Sequence, residues 1–253
     1  MSDYLLDLFS GALINVYFGF AALVFGFLVS IGLAMGLVRN KGLIYYCSSA
    51  YVYIFRGSPL FIQLYLFYYA IRATGLPGYK IPGTFDRPYE FLLDALILAP
   101  LVLFLNTVAY AAVIFANALQ AVPKGEQEAA DAFGFSRFKK FRRVTWPSML
   151  RIAWPAYTNE VTVLFLSTAL VYASIPVTTR PGGANYKDAF ILSVDKAEET
   201  FNPFFAYLPA MAVFVVMTLG IFFVFGLVND YLNRHLTDKS ARPRLRFRPN
   251  FIR

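Results

Sequence analysis

The chain has 253 residues, of which 58% are hydrophobic and 18% aromatic, and its mean hydropathy of +0.54 lies outside the range of a typical soluble domain. This composition predicts a protein of the lipid bilayer. A single cysteine, Cys47, permits no internal disulfide and gives no sign of a metal cluster. The net charge of +8 does not indicate nucleic acid as a partner, because the basic excess lies at the edges of apolar stretches, where contact with anionic lipid head groups accounts for it.

Five apolar stretches follow one another along the chain and predict an all-α fold with five transmembrane helices. A helix needs about 20 apolar residues to cross the hydrocarbon core, and four of the stretches reach that length. The second stretch is shorter, and it can still span if the Arg72 side chain extends to the head groups. The predicted spans cover residues 11–38, 58–74, 95–121, 152–176 and 203–229.

Basic residues predict how these spans are oriented. Short loops rich in lysine and arginine remain in the cytoplasm, and 17 of the 23 basic residues lie in the first loop, the third loop and the C-terminal tail. We therefore expect an N-terminus outside the cytoplasm and a cytoplasmic C-terminus, with residues 231–253 as a basic cytoplasmic tail.

A sixth span over residues 42–55 is rejected, because this stretch is too short and an extra crossing would place the basic loops outside. We expect these residues to form a helix at the cytoplasmic face instead. Ser58 and Pro59 then resemble the N-cap and the first turn of the second span.

The third loop, residues 123–147, is a polar segment between two apolar stretches. Gly134 predicts a left-handed helix end and Ser136 can cap a following helix, so we expect two short helices that meet at a glycine turn, here called the elbow. Its small and aromatic side chains suit a groove on a partner protein, but residue chemistry alone explains an amphipathic loop at the membrane surface about equally well. The residues that would contact a partner are Glu128, Ala129, Ala130, Asp131, Phe133 and Gly134.

Glu160 is the first candidate for a functional side chain. An ionisable group at membrane depth is costly unless it faces water, a partner or a substrate. Its carboxylate would suit a cationic substrate group, with Asn159 beside it. The alternative is that Glu160 makes a polar contact between helices.

Four further polar residues could complete a binding site. Asn106 and Thr107 lie near the middle of the third span and could hydrogen-bond an amino-acid zwitterion, but contacts between helices explain Asn106 equally well. Ser167 and Thr168 lie about two turns after Glu160 on a comparable face. Hydroxyl groups in helices also commonly bond back to their own backbone.

The sequence lacks several signatures of enzymes. It contains no phosphate-binding Gly-x-x-x-x-Gly-Lys-Ser/Thr motif, so the chain is not expected to hydrolyse ATP alone. The single histidine, His235, provides no basis for a metal site or for a Ser-His-Asp triad. We therefore expect a chain without enzymatic activity and without a bound cofactor or metal.

Four motifs along the chain together resemble one protein family, and they lie at residues 53–60, 106–110, 128–134 and 150–161. They are similar to permease subunits of bacterial ABC importers, in the polar amino-acid branch, and look closest to the M-type permease of the histidine, lysine/arginine/ornithine and opine systems. Val113, Ala116 and Phe165 depart from the family pattern, which loosens the assignment of a substrate.

This resemblance implies a type I ABC importer permease, a single transmembrane domain over residues 1–253 in the bacterial inner (plasma) membrane. It also implies a second homologous permease, a dimer of ATP-binding subunits that hold ATP and magnesium, and a periplasmic solute-binding protein as partners. The elbow would couple ATP binding to the spans, and Glu160 and Asn106 would contact the substrate. The alternative is an ion-coupled secondary amino-acid transporter that uses Glu160 as a proton or substrate site.

Overall fold

The computed structural model describes residues 2–75, 90–175 and 187–234. Within these ranges the chain is helical and contains no strand, in agreement with the predicted all-α fold. A 3-10 turn, Thr168–Leu170, joins the seventh helix to the eighth. The α-helices are α1 (Ser2–Val38), α2 (Leu43–Gly57), α3 (Leu60–Ala73), α4 (Ala95–Ala121), α5 (Lys124–Ala132), α6 (Arg137–Lys140), α7 (Trp146–Ser167), α8 (Val171–Ser174), α9 (Ala189–Thr200) and α10 (Pro203–Asn233).

Helices lie at each of the five predicted spans, and three of them, α1, α4 and α10, are long and apolar enough to cross a membrane. Helix α3 is apolar but has only 14 residues. Helix α7 has 22 residues and carries several polar side chains. The predicted basic tail begins within α10, and its residues 235–253 lie outside the described residues.

The start of α3 differs from the prediction. Ser58 does not cap this helix, because Pro59 holds the N-cap position and the Ser58 Oγ donates back to the Ile54 carbonyl of α2 at 2.8 Å. Ser58 and Pro59 are both extended, and Pro59, as the N-cap, does not belong to the first turn. A residue that precedes proline is disfavoured in the helical region, and this preference ends α2 before Pro59. A short extended link therefore separates α2 from α3.

Helix α4 is the central element, and it packs against α1, α2, α3 and α7. Buried alanines such as Ala99 and Ala112 let neighbouring helices approach its backbone closely. Close packing of this kind drives the association of helices in a membrane, because lipid supplies little hydrophobic driving force between them. Two apolar clusters form around α4, one including Phe18 and the other including Phe115. Asn106 and the residues next to it lie between these clusters along the helix.

Large apolar side chains are exposed along α1 and α10, for example Leu6, Phe25 and Phe223. Soluble monomers rarely expose apolar surface of this extent. These faces are therefore suited to contact lipid or another membrane subunit.

Candidate functional site

A cavity of about 410 Å³ lies where the link between α2 and α3 meets α4 and α7. This volume is in the range of small-molecule binding sites, which span roughly 300–1,000 Å³. The link forms one wall, and two helices form the others. The lining residues are 56–60 from α2, the link and the start of α3, Asn106 and Tyr110 from α4, and Glu160, Val163, Leu164 and Ser167 from α7.

The side-chain amides of Gln63 and Asn106 hold the extended link against α4. The Gln63 Nε2 donates to the Phe55 carbonyl at 2.8 Å and to the carbonyl and Oγ of Ser58 at 3.0 and 2.8 Å. The Asn106 Nδ2 donates to the Gln63 Oε1 at 3.1 Å and to the Phe55 carbonyl at 3.3 Å. Because the end of α2 leaves backbone carbonyls without helical partners, these two amides satisfy groups that would otherwise be buried and unpaired.

The same bonds determine what Asn106 can offer a ligand. Its Nδ2 makes two hydrogen bonds within the protein, so both amide hydrogens are used. Among the described residues its Oδ1 accepts no hydrogen bond, and Asn106 itself lines the cavity. Asn106 is therefore both a contact between helices and a group able to accept a hydrogen bond from a ligand.

Glu160 lies on the cavity wall, half-buried, where its Oε1 accepts a hydrogen bond from the Thr107 Oγ1 at 3.2 Å. Arg56 lines the same cavity, and its guanidinium carbon stands 5.0 Å from the centre of the Tyr110 ring. Stacking of this kind holds a guanidinium in place without neutralising it. The cavity therefore presents a carboxylate and a guanidinium together.

The structure brings together only part of the predicted site. Glu160, Asn106 and Ser167 line the cavity, and the Ser167 hydroxyl donates back to the Val163 carbonyl at 2.8 Å. Thr107 is buried next to the cavity and contacts it through Glu160. The remaining two predicted residues lie elsewhere, since Asn159 is exposed on another face of α7 and Thr168 is buried against α1.

Sequence reasoning assigned no binding role to Arg56 or Tyr110. Arg56 was counted only as a basic residue that sets orientation, although it lies in the last turn of α2, close to the extended link. The signal that could have found it is the neighbouring Gly57-Ser58-Pro59 sequence, which predicts a break that exposes a helix end.

The elbow has the predicted form of two short helices, α5 and α6, that meet at a glycine. Gly134 has φ +70°, a left-handed conformation that favours glycine, and the Phe135 amide donates to the Ala130 carbonyl at 3.0 Å across the turn. The Ser136 Oγ accepts from the Lys139 amide at 3.4 Å and caps α6. The elbow is therefore held by its own backbone.

An ion pair joins the two helices of the elbow, because the Lys140 Nζ lies 2.7 Å from Asp131. Ala130 is buried, whereas Phe133 and Phe138 are 81% and 74% exposed. Large apolar side chains on a rigid and otherwise polar surface are typical of a protein contact. Of the other predicted contact residues, Glu128, Ala129, Asp131 and Gly134 are also exposed.

Comparison with known proteins assigns the chain to a family. The sequence pattern of the family described as binding-protein-dependent transport system inner membrane component matches residues 26–238. The chain belongs to this family. It is thus a permease, the inner-membrane subunit of a transport system that works with a binding protein, and the resemblance to ABC importer permeases is confirmed.

Curated relatives share about a third of their residues with this permease. It is 34% identical to the histidine/lysine/arginine/ornithine transport system permease HisM of Salmonella typhimurium, and the alignment covers 91% of this chain and 92% of the relative. It is 32% identical to the nopaline transport system permease NocM of Agrobacterium fabrum, with 86% and 84% covered.

Solved structures have the same fold. A crystal structure of an amino acid ABC transporter with histidines matches with a TM-score of 0.71 and 25% identity, over 91% of this chain and 96% of the other. An inward-facing structure of the methionine ABC transporter MetNI matches with a TM-score of 0.58 and 21% identity, over 92% and 95%. The second match concerns the fold alone.

Proposed function

We propose that this permease belongs to an ATP-driven importer of basic amino acids or related compounds, and that its substrate passes through the 410 Å³ cavity by alternating access. The observation that carries the proposal is that one cavity of the membrane subunit is lined by both a carboxylate, Glu160, and a guanidinium, Arg56. The names of relatives support it, because histidine, lysine, arginine, ornithine and nopaline all combine a carboxylate with nitrogen groups able to carry a proton.

The two charged side chains bind different groups of the substrate. Glu160 binds the cationic side chain, and Arg56 binds the α-carboxylate, for which a planar guanidinium is well suited. Asn106 contributes its Oδ1, which accepts a hydrogen bond from an ammonium group. Asn106 acts as an acceptor rather than a donor here, because both hydrogens of its Nδ2 already bond to Phe55 and Gln63.

The finer architecture follows from the same assignment. Helices α3 and α7 complete five spans with α1, α4 and α10 in one transmembrane domain, with the N-terminus periplasmic and the C-terminus cytoplasmic. A second homologous permease and a dimer of ATP-binding subunits complete the complex, and those subunits hold ATP and magnesium. The elbow couples them to the spans through its exposed aromatic side chains.

An ion-coupled secondary transporter does not fit as well. Such a protein needs neither a binding protein nor a partner ATPase, whereas the family of this chain is defined by dependence on a binding protein. Glu160 is therefore assigned to the substrate rather than to a coupling proton.

The test uses the complete complex in proteoliposomes, with uptake of L-arginine compared with uptake of L-glutamine. Glu160→Gln should weaken uptake of L-arginine by about tenfold or more and spare L-glutamine, because a hydrogen bond to a charged group contributes roughly 1.5–3 kcal/mol. Arg56→Gln should weaken both, since both substrates have an α-carboxylate.

Asn159→Ala provides the matched control, because Asn159 adjoins Glu160 in sequence but is exposed on another face of α7. It should leave both rates unchanged. Equal loss of both substrates in Glu160→Gln would show that this carboxylate is structural, and the proposal would then fail.

A further inference from the structure

A buried polar cluster joins three separate parts of the chain outside the cavity. Asn15 of α1, Thr168 of the 3-10 turn and Asp188 directly before α9 are all fully buried. The Asn15 Nδ2 donates to the Thr168 Oγ1 at 2.9 Å and to the Asp188 Oδ2 at 3.2 Å. The Asn15 Oδ1 accepts from the Ala189 amide at 3.1 Å. One side chain therefore connects the first turn of α9 to the end of α7.

The first turn of α9 rests directly on α1. A Cβ atom at Gly11 would lie 2.7 Å from the Ala189 nitrogen and 2.8 Å from the Asp188 carbonyl carbon, so only glycine allows this approach. Gly11 and Asn15 are one helical turn apart and share a face. The start of α9 thus packs against the backbone of α1 at Gly11 and is hydrogen-bonded one turn later by Asn15.

Asp188 places a fully buried carboxyl group in this contact. Its Oδ1 accepts from the Ile191 amide at 2.9 Å and caps α9. Burial raises the pKa of the Asp188 carboxyl to about 6, and hydrogen bonds from Ile191, Asn15 and Phe190 lower it in part. These donors favour the charged form of the carboxyl, and a buried charge requires fixed donors such as Asn15.

On its other side the cluster reaches the cavity wall. Thr168 follows Ser167, which lines the cavity, and Thr168 begins the 3-10 turn that interrupts the helix between α7 and α8. The Thr168 hydroxyl also donates to the Phe165 carbonyl at 2.6 Å. A 3-10 segment within a longer helix often marks a hinge, because its hydrogen bonds are weaker than those of an α-helix.

We propose that Asn15 is a positioning residue that links the external helix α9 to the cavity, so that a substrate-loaded binding protein docked on the outer face shifts the Thr168 turn and the wall of α7. This inference rests on the proposed function, which places α9 on the periplasmic side. Asn15 and Thr168 touch no substrate. They transmit a displacement because the Asn15 side chain bonds at once to Thr168 and to the start of α9.

The experiment measures ATP hydrolysis by the complete complex in nanodiscs, with and without the system's binding protein loaded with L-arginine. Thr168→Val keeps the shape of the side chain and removes the hydroxyl that Asn15 contacts. Basal hydrolysis should remain unchanged, and stimulation by the loaded binding protein should fall at least about fivefold, the lower end of typical coupling between sites.

Two matched variants separate coupling from stability. Thr168→Ser retains a hydroxyl and should restore stimulation. Ser174→Ala removes a buried hydroxyl that only bonds back to the Leu170 carbonyl, at 2.8 Å, and should leave stimulation intact. If Thr168→Val fails to assemble, Thr168→Ala carries the same expectation.

Each result decides a different point. Normal stimulation of Thr168→Val, or an equal fall of its basal and stimulated rates, overturns the role of the cluster in coupling. If the wild-type complex itself shows no stimulation by the loaded binding protein, the proposed function fails and the inference fails with it.

Discussion

The cavity and the elbow are both polar regions in an apolar chain, but they are held together in opposite ways. In the elbow, the turn is closed by contacts between residues close in sequence, such as the bond from Phe135 to Ala130 and the ion pair of Asp131 with Lys140. In the cavity, partners are far apart, as when Asn106 bonds to Phe55 and Thr107 bonds to Glu160.

This difference separates a rigid part from an adjustable part. A motif closed by local bonds moves as a unit and can transmit force without changing its own shape. A cavity whose walls come from separate helices changes shape whenever those helices shift, which alternating access requires. The elbow is therefore suited to deliver a motion and the cavity to receive it.

The largest expected effect concerns the exposed surface of the elbow. Phe133→Ser should reduce retention of the ATP-binding subunits during purification by roughly 30-fold, since a central aromatic contact commonly contributes about 2 kcal/mol or more. Phe201→Ser is the control, because Phe201 is 91% exposed but lies beside α9 at the other end of the protein. Undiminished retention in Phe133→Ser would contradict the coupling role of the elbow.

A smaller effect is expected at the amide network of the cavity. Gln63→Met keeps a similar volume but removes a buried side chain that bonds to Phe55, Ser58 and Asn106. Polar groups left without partners cost about 1–3 kcal/mol, so thermal unfolding of the purified complex should begin at a lower temperature. Gln127→Met, at a half-exposed position of α5, should not shift it. Similar unfolding of the two variants would mean that distant bonds do not hold the cavity.

The smallest expected effect is local to the elbow turn. Gly134→Ala places a side chain at φ +70° and should destabilise the turn by about 1–2 kcal/mol, seen as faster hydrogen exchange of its amides in the intact complex. Gly125→Ala is the matched change, because a Cβ there meets open space within α5. It should leave exchange unchanged or slow it, since alanine favours helix. Faster exchange in both variants would show that the left-handed turn is not what holds the elbow.

The same contrast explains what the sequence could and could not predict. The elbow was predicted in detail, because a left-handed glycine and a serine cap are local signals. Glu160 was singled out because a charge in an apolar stretch is conspicuous, and the structure places it on the cavity wall. Arg56 and Asn15 were missed, since their roles depend on which helices pack together, and sequence spacing does not show that. Ser58 was misassigned by one position, since Pro59 is the N-cap of α3 and the Ser58 hydroxyl bonds back to the Ile54 carbonyl, a tertiary detail that the sequence does not show.

The shortness of α3 has a consequence for the membrane around the protein. Its 14 residues rise only about 21 Å, against a hydrocarbon core of about 30 Å. As the second span of the proposed architecture, it can match the bilayer where lipid thins beside it or where the extended link at Ser58 and Pro59 covers part of the remaining depth. In that architecture the rate of transport should depend on the acyl-chain length of the lipid, and lipids with shorter chains should favour the arrangement in which this helix spans without strain.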